Sequence, residues 1–359
     1  MKQCLVPNAG LYAILLASTS VVVQPSPAEE QGRTYENRLT PIAHPKPLLA
    51  DHPDFVEPVR ETARFEAPAL VEDPGADLHV RAWRFSYNAR GIIEIPNHLR
   101  AAHTAVIMVH PWGTDDGQGW STPQPAGAAD FCTPEKNHLA GKHTRTVINP
   151  FLKSLRGKAA FIMYSLPGPE DPIRKKLYRS FRGRPTESER AEGAKELKAK
   201  LTGFSYRGEP LPASLTLSSD KPVVNYFQQF KGLDATDKFD PKGFWDLPIP
   251  LTVDVESDPD DVMIYDGDGY PALKKFLQEH SIRHVLLTGY CTDMCFAKTC
   301  AGYENLSKDF NVFLVGDATL ATFPANDTPR HATNTHISFA SLDHLITQIS
   351  WIHYAPGNK

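Results

Sequence analysis

Residues 282–323 constrain the fold more than any other stretch of this chain. An apolar run, Val285, Leu286 and Leu287, stops at Thr288 and Gly289, which reads as a buried strand ending at a tight turn. From Thr292 to Leu306 the spacing is helical, with Cys295, Thr299, Gly302 and Leu306 on one face. Asn311–Val315 is a second apolar run, closed by Gly316, Asp317 and Ala318. Strand, helix, strand makes a βαβ unit with parallel strands and a right-handed crossover, so the chain is expected to be α/β.

Cys295 then falls in the first turn of the crossover helix, at the carboxyl end of a strand. Open α/β sheets bind ligands at that edge. A helix N-terminus favours the thiolate form of a cysteine, and its free N–H groups suit an oxyanion. Thr292 is the expected cap, with Asp293 as the alternative.

Gly289, Thr292, Cys295, Thr299, Ala301, Asp317 and Ala318 together resemble the fingerprint of the isochorismatase-like cysteine hydrolases. That resemblance implies a three-layer α/β sandwich with a mostly parallel six-stranded sheet. It implies a nucleophilic cysteine with Asp and Lys partners, and a cis peptide at Tyr290–Cys291 or Cys291–Thr292. It also implies an oxyanion hole from the N–H groups of Cys291 and Cys295. Two partners depart from the family pattern. The first sheet strand, Thr104–Val109, ends at His110 where the family has its Asp. Past the short strand Val262–Tyr265, where the family has its Lys, the chain offers Asp266, with Asp268 second.

A rebuilt triad of Cys295, His110 and Asp266 answers both departures. A neutral imidazole with a pKa near ~6.5 can take the thiol proton, and a carboxylate can fix its tautomer. The expected reaction is cleavage of a small amide or related C–N bond through an acyl-enzyme. The competing reading is a degenerate fold that binds a small molecule or a protein. An α/β-hydrolase is disfavoured because no G-x-S-x-G elbow occurs. Trp112, Asp115, Asp116 and Asp268 are candidates for the pocket.

The remaining sequence sets the surroundings. Residues 1–28, with Lys2, the apolar run Leu11–Val23 and the small residues Ser26 and Ala28, read as a secretory signal peptide. A secreted or periplasmic chain with no membrane span after cleavage is the expectation. Residues 29–60 are proline-studded and read as an extended linker. Residues 61–100 alternate in a hairpin pattern about the turn Asn88–Gly91 and read as a small β appendage. Residues 101–359 form the hydrolase-like domain, interrupted by an insertion at about 168–255 that carries a helix around Glu187–Leu201. Residues 121–145 read as a long loop, followed by helix Thr146–Leu155 and strand Ala159–Tyr164. Helices are also expected over Pro271–His280 and His336–Ile352.

A net charge of -4 with 22% charged residues gives no basic surface for nucleic acid. No phosphate loop or dinucleotide fingerprint occurs, so no cofactor is expected. Cys132, His138 and His143 do not have the spacing of a metal site, and no metal is expected. Cys295 is expected to be free of any disulfide, leaving Cys132 and Cys300 open. Homo-oligomers are common among the proteins this chain resembles.

Overall fold

The computed structural model describes residues 33–60, 63–86, 88–113, 134–204, 219–220, 246–321 and 351–352. The chain divides into two compact units, Met1–Glu36 and Asn37–Lys359. The signal-like residues 1–28 lie outside the described residues, and every described strand and helix belongs to the second unit.

The frame of that unit is one ten-stranded sheet. In chain order the strands are β1 (Thr40–Pro41), β2 (Arg64–Glu66), β3 (Leu78–Ser86), β4 (Gly91–Leu99), β5 (Thr104–Val109), β6 (Phe161–Leu166), β7 (Val262–Tyr265), β8 (His284–Tyr290), β9 (Asn311–Leu320) and β10 (Trp351–Ile352). Across the sheet they lie β1-β2-β4-β3-β10-β9-β8-β5-β6-β7. From β10 to β7 every pairing is parallel, which gives the six-stranded parallel core of an α/β fold. β5, β7 and β8 are buried along their whole length, as continuous apolar runs in a parallel sheet should be. From β5 the chain steps outward through β6 to β7, then returns to lay β8 on the other side of β5. The topological switch point, where such sheets bind ligands, is therefore between β5 and β8.

The β appendage is not a separate module. The β3–β4 hairpin pairs in register from Leu78↔Leu99 to Ser86↔Gly91, and β10 joins β3 to the parallel core. Glu94 on β4 takes Arg64 and Arg81 as ion-pair partners, locking β2, β3 and β4 side by side. The expected linker is corrected in part: Leu48, Leu49, Phe55 and Val56 are buried in the main core, and β1 pairs with β2. Prolines prevent regular structure there, but the apolar pairs between them still find cover.

The helices differ from expectation at several ends. Residues 134–143 are helix α1 rather than loop, running through a π-helical turn at Thr144–Ile148 into α2 (Asn149–Leu155). Pro134 is pre-set for a first helical position, which a reading of proline as loop overlooks. In the insertion, Asp171 caps α3 (Pro172–Leu177), accepting from the N–H groups of Ile173 and Arg174. A Thr186–Glu189 capping box starts α4 (Glu187–Thr202), close to the expected helix. Beside these, Ser180 bridges Met263 at the outer edge of β7, and the Met263 N–H donates to the Arg179 carbonyl at 2.7 Å. α5 (Gly269–Glu279) follows β7 and buries Leu273 and Leu277.

The expected crossover helix 292–306 is broken. It consists of α6 (Cys295–Lys298) and α7 (Tyr303–Leu306), with Thr299 and Gly302 in extended conformations between them. A Cβ on Gly302 would stand 2.7 Å from the Ala297 carbonyl oxygen, so only glycine lets the chain fold back this closely. Gly316–Ala318 does not end the last core strand either. β9 continues to Leu320 through a bulge, its register on β8 jumping from Leu287↔Leu314 to Gly289↔Thr319. Of the expected helix at 336–352, residues 351–352 are strand β10 and the remainder lies outside the described residues.

Candidate active site

Three strand ends build the site. His110 follows β5 with φ 48, a left-handed conformation uncommon outside glycine, and its N–H donates to the Ser165 carbonyl at 3.0 Å. Asp266 opens the 3-10 turn after β7. Cys295 begins α6 after β8. β6 lies between β5 and β7, so His110 must reach across about two strand spacings, ~10 Å, to meet Asp266. On β6, Ser165, which pairs with Val109, is small and has its Oγ 3.4 Å from Asp266 Oδ1.

The imidazole makes that reach. His110 Nε2 lies 2.8 Å from Asp266 Oδ2, and the Cys295 side chain is near enough to act on the charge of the ring. His110 is buried, while Asp266 and Cys295 are partly open. Burial alone would lower the His110 pKa, but the hydrogen bonds and charges of Asp266 and Cys295 prevail and push it up to about 9. A value raised this far favours the imidazolium near neutral pH, where an ordinary histidine would be largely neutral.

The cis peptide is at Tyr290–Cys291, one of the two bonds named from the resemblance. Tyr290 is anchored by its hydroxyl, which lies 2.8 Å from His143 Nδ1, 2.9 Å from Thr144 Oγ1 and 3.0 Å from the Ala140 carbonyl oxygen. His143 Nε2 takes the Asp317 carbonyl at 2.7 Å, and burial pushes the His143 pKa down to about 3. Both nitrogens of this histidine are therefore committed to the frame.

Thr292 is not the helix cap. Its hydroxyl pairs with Thr319 Oγ1 at 2.8 Å and its N–H donates to Leu320 O at 3.0 Å, tying the turn to β9. Met294 occupies the cap position and makes no side-chain cap bond. Since α6 is a single turn, its dipole contributes little to the sulfur, and the charge opposite Cys295 comes from His110 instead. The Cys295 N–H makes no backbone hydrogen bond among the described residues.

The other pocket candidates separate. Trp112 is half-buried and bridges Leu251. Asp268 is held by Arg182, which also reaches Glu170. Asp115, Asp116 and Cys132 lie outside the described residues. Cys291, Cys295 and Cys300 form no disulfide among the described residues. The sequence does not single out Cys300 for the site, yet its Sγ lies 3.2 Å from Asp266 Oδ1. Helical periodicity turns position 300 away from position 295, so only the break in the helix reveals it.

Residues 227–338 match the family model of the isochorismatase domain. That match agrees with the resemblance carried by the cysteine motif and includes both Asp266 and Cys295. That family is one of hydrolases. No curated protein sequence matches the chain.

Among solved structures the chain is similar to a cysteine hydrolase from Pseudomonas syringae pv. phaseolicola 1448A, with 13% identity, 70% of this chain and 89% of that one covered, and a TM-score of 0.34. It is similar to a nicotinamidase from Bacillus subtilis, with 11% identity, 67% and 95% covered, and a TM-score of 0.30. It is also similar to a pyrazinamidase of Pyrococcus horikoshii in complex with zinc, with 17% identity, 70% and 99% covered, and a TM-score of 0.32. At these scores the likeness adds nothing to the topology already described.

Some proteins of the resembled family hold a metal through an Asp-x-His group after the second core strand. Here that stretch is Tyr164–Gly168, which has neither residue, and Ser165 Oγ faces Asp266 at 3.4 Å. These residues do not fit a metal. Among the described residues no helix is long and apolar enough to cross a membrane.

Proposed function

We propose that this chain is an exported cysteine hydrolase that cleaves a small amide or related C–N bond, with Cys295 as nucleophile, His110 as proton carrier and Asp266 as the group that orients the imidazole. The observation that carries the reading is the single imidazole that hydrogen-bonds Asp266 and has Cys295 beside it as an electrostatic partner. The resemblance supplies the bond class, and the leader-like residues 1–28 support export.

In this reading Cys295 attacks as the thiolate, its charge balanced by the His110 imidazolium. A sulfur–carbon bond forms at the carbonyl, and the carbonyl electron pair moves onto oxygen, which the Cys291 and Cys295 N–H groups receive. The electron pair returns, the C–N bond breaks, and His110 delivers its proton to the departing nitrogen. The neutral imidazole then takes a proton from water as it attacks the thioester, releasing the acid and restoring thiolate and imidazolium. Asp266 keeps the ring turned toward the sulfur throughout.

The test is a panel of small amides offered to the wild type and to Cys295→Ala. Turnover by the wild type that disappears in the variant is the expected result; turnover that survives the substitution overturns the reading.

A further inference from the structure

Two thiols from one short stretch converge on the two halves of the same ion pair. Cys300 meets the far side of the Asp266 carboxylate, and Cys295 acts on the charge of His110. In an unbroken helix, five residues turn through about 500°, leaving the two side chains ~140° apart around the axis. The extended backbone at Thr299 and Gly302 removes that constraint, and the Cys300 sulfur comes to lie 3.2 Å from Asp266 Oδ1 and 3.8 Å from the Tyr265 carbonyl oxygen. Ser165 Oγ approaches the same Oδ1 from β6 at 3.4 Å.

The carboxylate is therefore held from both sides. Oδ2 faces His110 Nε2, and Oδ1 faces a thiol and a hydroxyl, each able to donate. With Oδ1 unclamped, the carboxyl could rotate about its side-chain bond and leave the imidazole. Burial pushes the Cys300 pKa up, so the sulfur keeps its proton and remains a donor. This thiol thus has a chemistry opposite to that of a nucleophile.

We propose that Cys300, assisted by Ser165, is a positioning residue that fixes the Asp266 carboxylate as the partner of His110. The proposal rests on the hydrolase reading of Cys295, His110 and Asp266, and its main readout needs no substrate. In the full chain, NMR titration of the His110 ring compares the wild type with Cys300→Ala and Cys300→Ser. Alanine is expected to lower the His110 midpoint by about one pH unit, which is the natural spread of histidine pKa values, and serine to restore it. On an amide substrate, alanine is expected to lower kcat on the order of 10-fold to 100-fold with KM unchanged, as loss of orientation does.

Should Cys300→Ala fail to fold, Ser165→Ala removes the other donor to the same oxygen and must lower the midpoint in the same direction. A folded variant whose His110 titrates as in the wild type overturns the proposal. Failure of the hydrolase reading has a different signature: no amide turnover, or turnover without Cys295, with the His110 midpoint still moving.

Discussion

At the scale of single residues, His110 is the proton carrier of the proposed mechanism, and a pKa raised to about 9 gives it a pH signature. A folded-state value above the unfolded one, ~6.5, means that the pair stabilises the protein fully below the unfolded value. That contribution is lost as the pH rises through about 9. The imidazolium is the working form in the proposed mechanism, so kcat/KM should decline with an alkaline midpoint near 9. A pH–rate profile that stays flat from about pH 7 to about pH 10 would contradict it. Removing the imidazole by His110→Ala should cost ~10²–10⁴ in kcat. Asp266→Asn should cost up to ~10⁴, because the amide no longer holds the ring as the carboxylate does. Steady-state kinetics on one amide substrate measures both. Cys295, His110 and Asp266 are legible in the sequence because each sits where a buried run ends, and strand ends converge in a parallel sheet. Cys300 is not, since its place depends on a main-chain break that side-chain spacing does not encode.

At the scale of elements, the strands are more legible than the helices. β5 is the apolar run Thr104–Val109, end for end, because a fully buried parallel strand leaves an uninterrupted hydrophobic signature. The crossover between β8 and β9 shows the opposite case. Its residues keep helical spacing, yet the close approach of Gly302 to Ala297 turns the chain aside. Gly289 on β8 is under a similar constraint. Its φ is +105, and a Cβ there would stand 2.3 Å from the Val109 carbonyl oxygen. Gly289→Ala should therefore destabilise the protein by about 3 kcal/mol, readable as a lowered midpoint in urea denaturation. It should also disturb Cys295, since β8 carries the turn that presents the sulfur.

At the scale of the whole molecule, the sheet reaches well beyond its parallel core. A hairpin pattern predicts two paired strands, but it says nothing of which edge they will join, and β10 supplies that junction. A second tie lies at the amino end of β8. There Asp73 accepts from the Arg100 N–H and lies 2.8 Å from His284 Nε2, with Arg283 at 3.4 Å. Burial raises the Asp73 pKa, but these bonds and charges outweigh it and hold the carboxyl below its ordinary value. Its stabilisation is thus present above the unfolded pKa of ~3.9 and disappears as the pH falls through the lower folded value. Asp73→Ala should cost about 1–3 kcal/mol near neutral pH through its lost hydrogen bonds, measured by urea unfolding, and much less once acid has protonated the wild-type carboxyl. The contact of Ser180 with Met263 has a consequence for how copies of this protein coexist. An open row of main-chain donors and acceptors along β7 would invite strand-to-strand polymerisation, and the inserted segment sheathes it, while at the opposite margin β1 is two residues long and ends in proline.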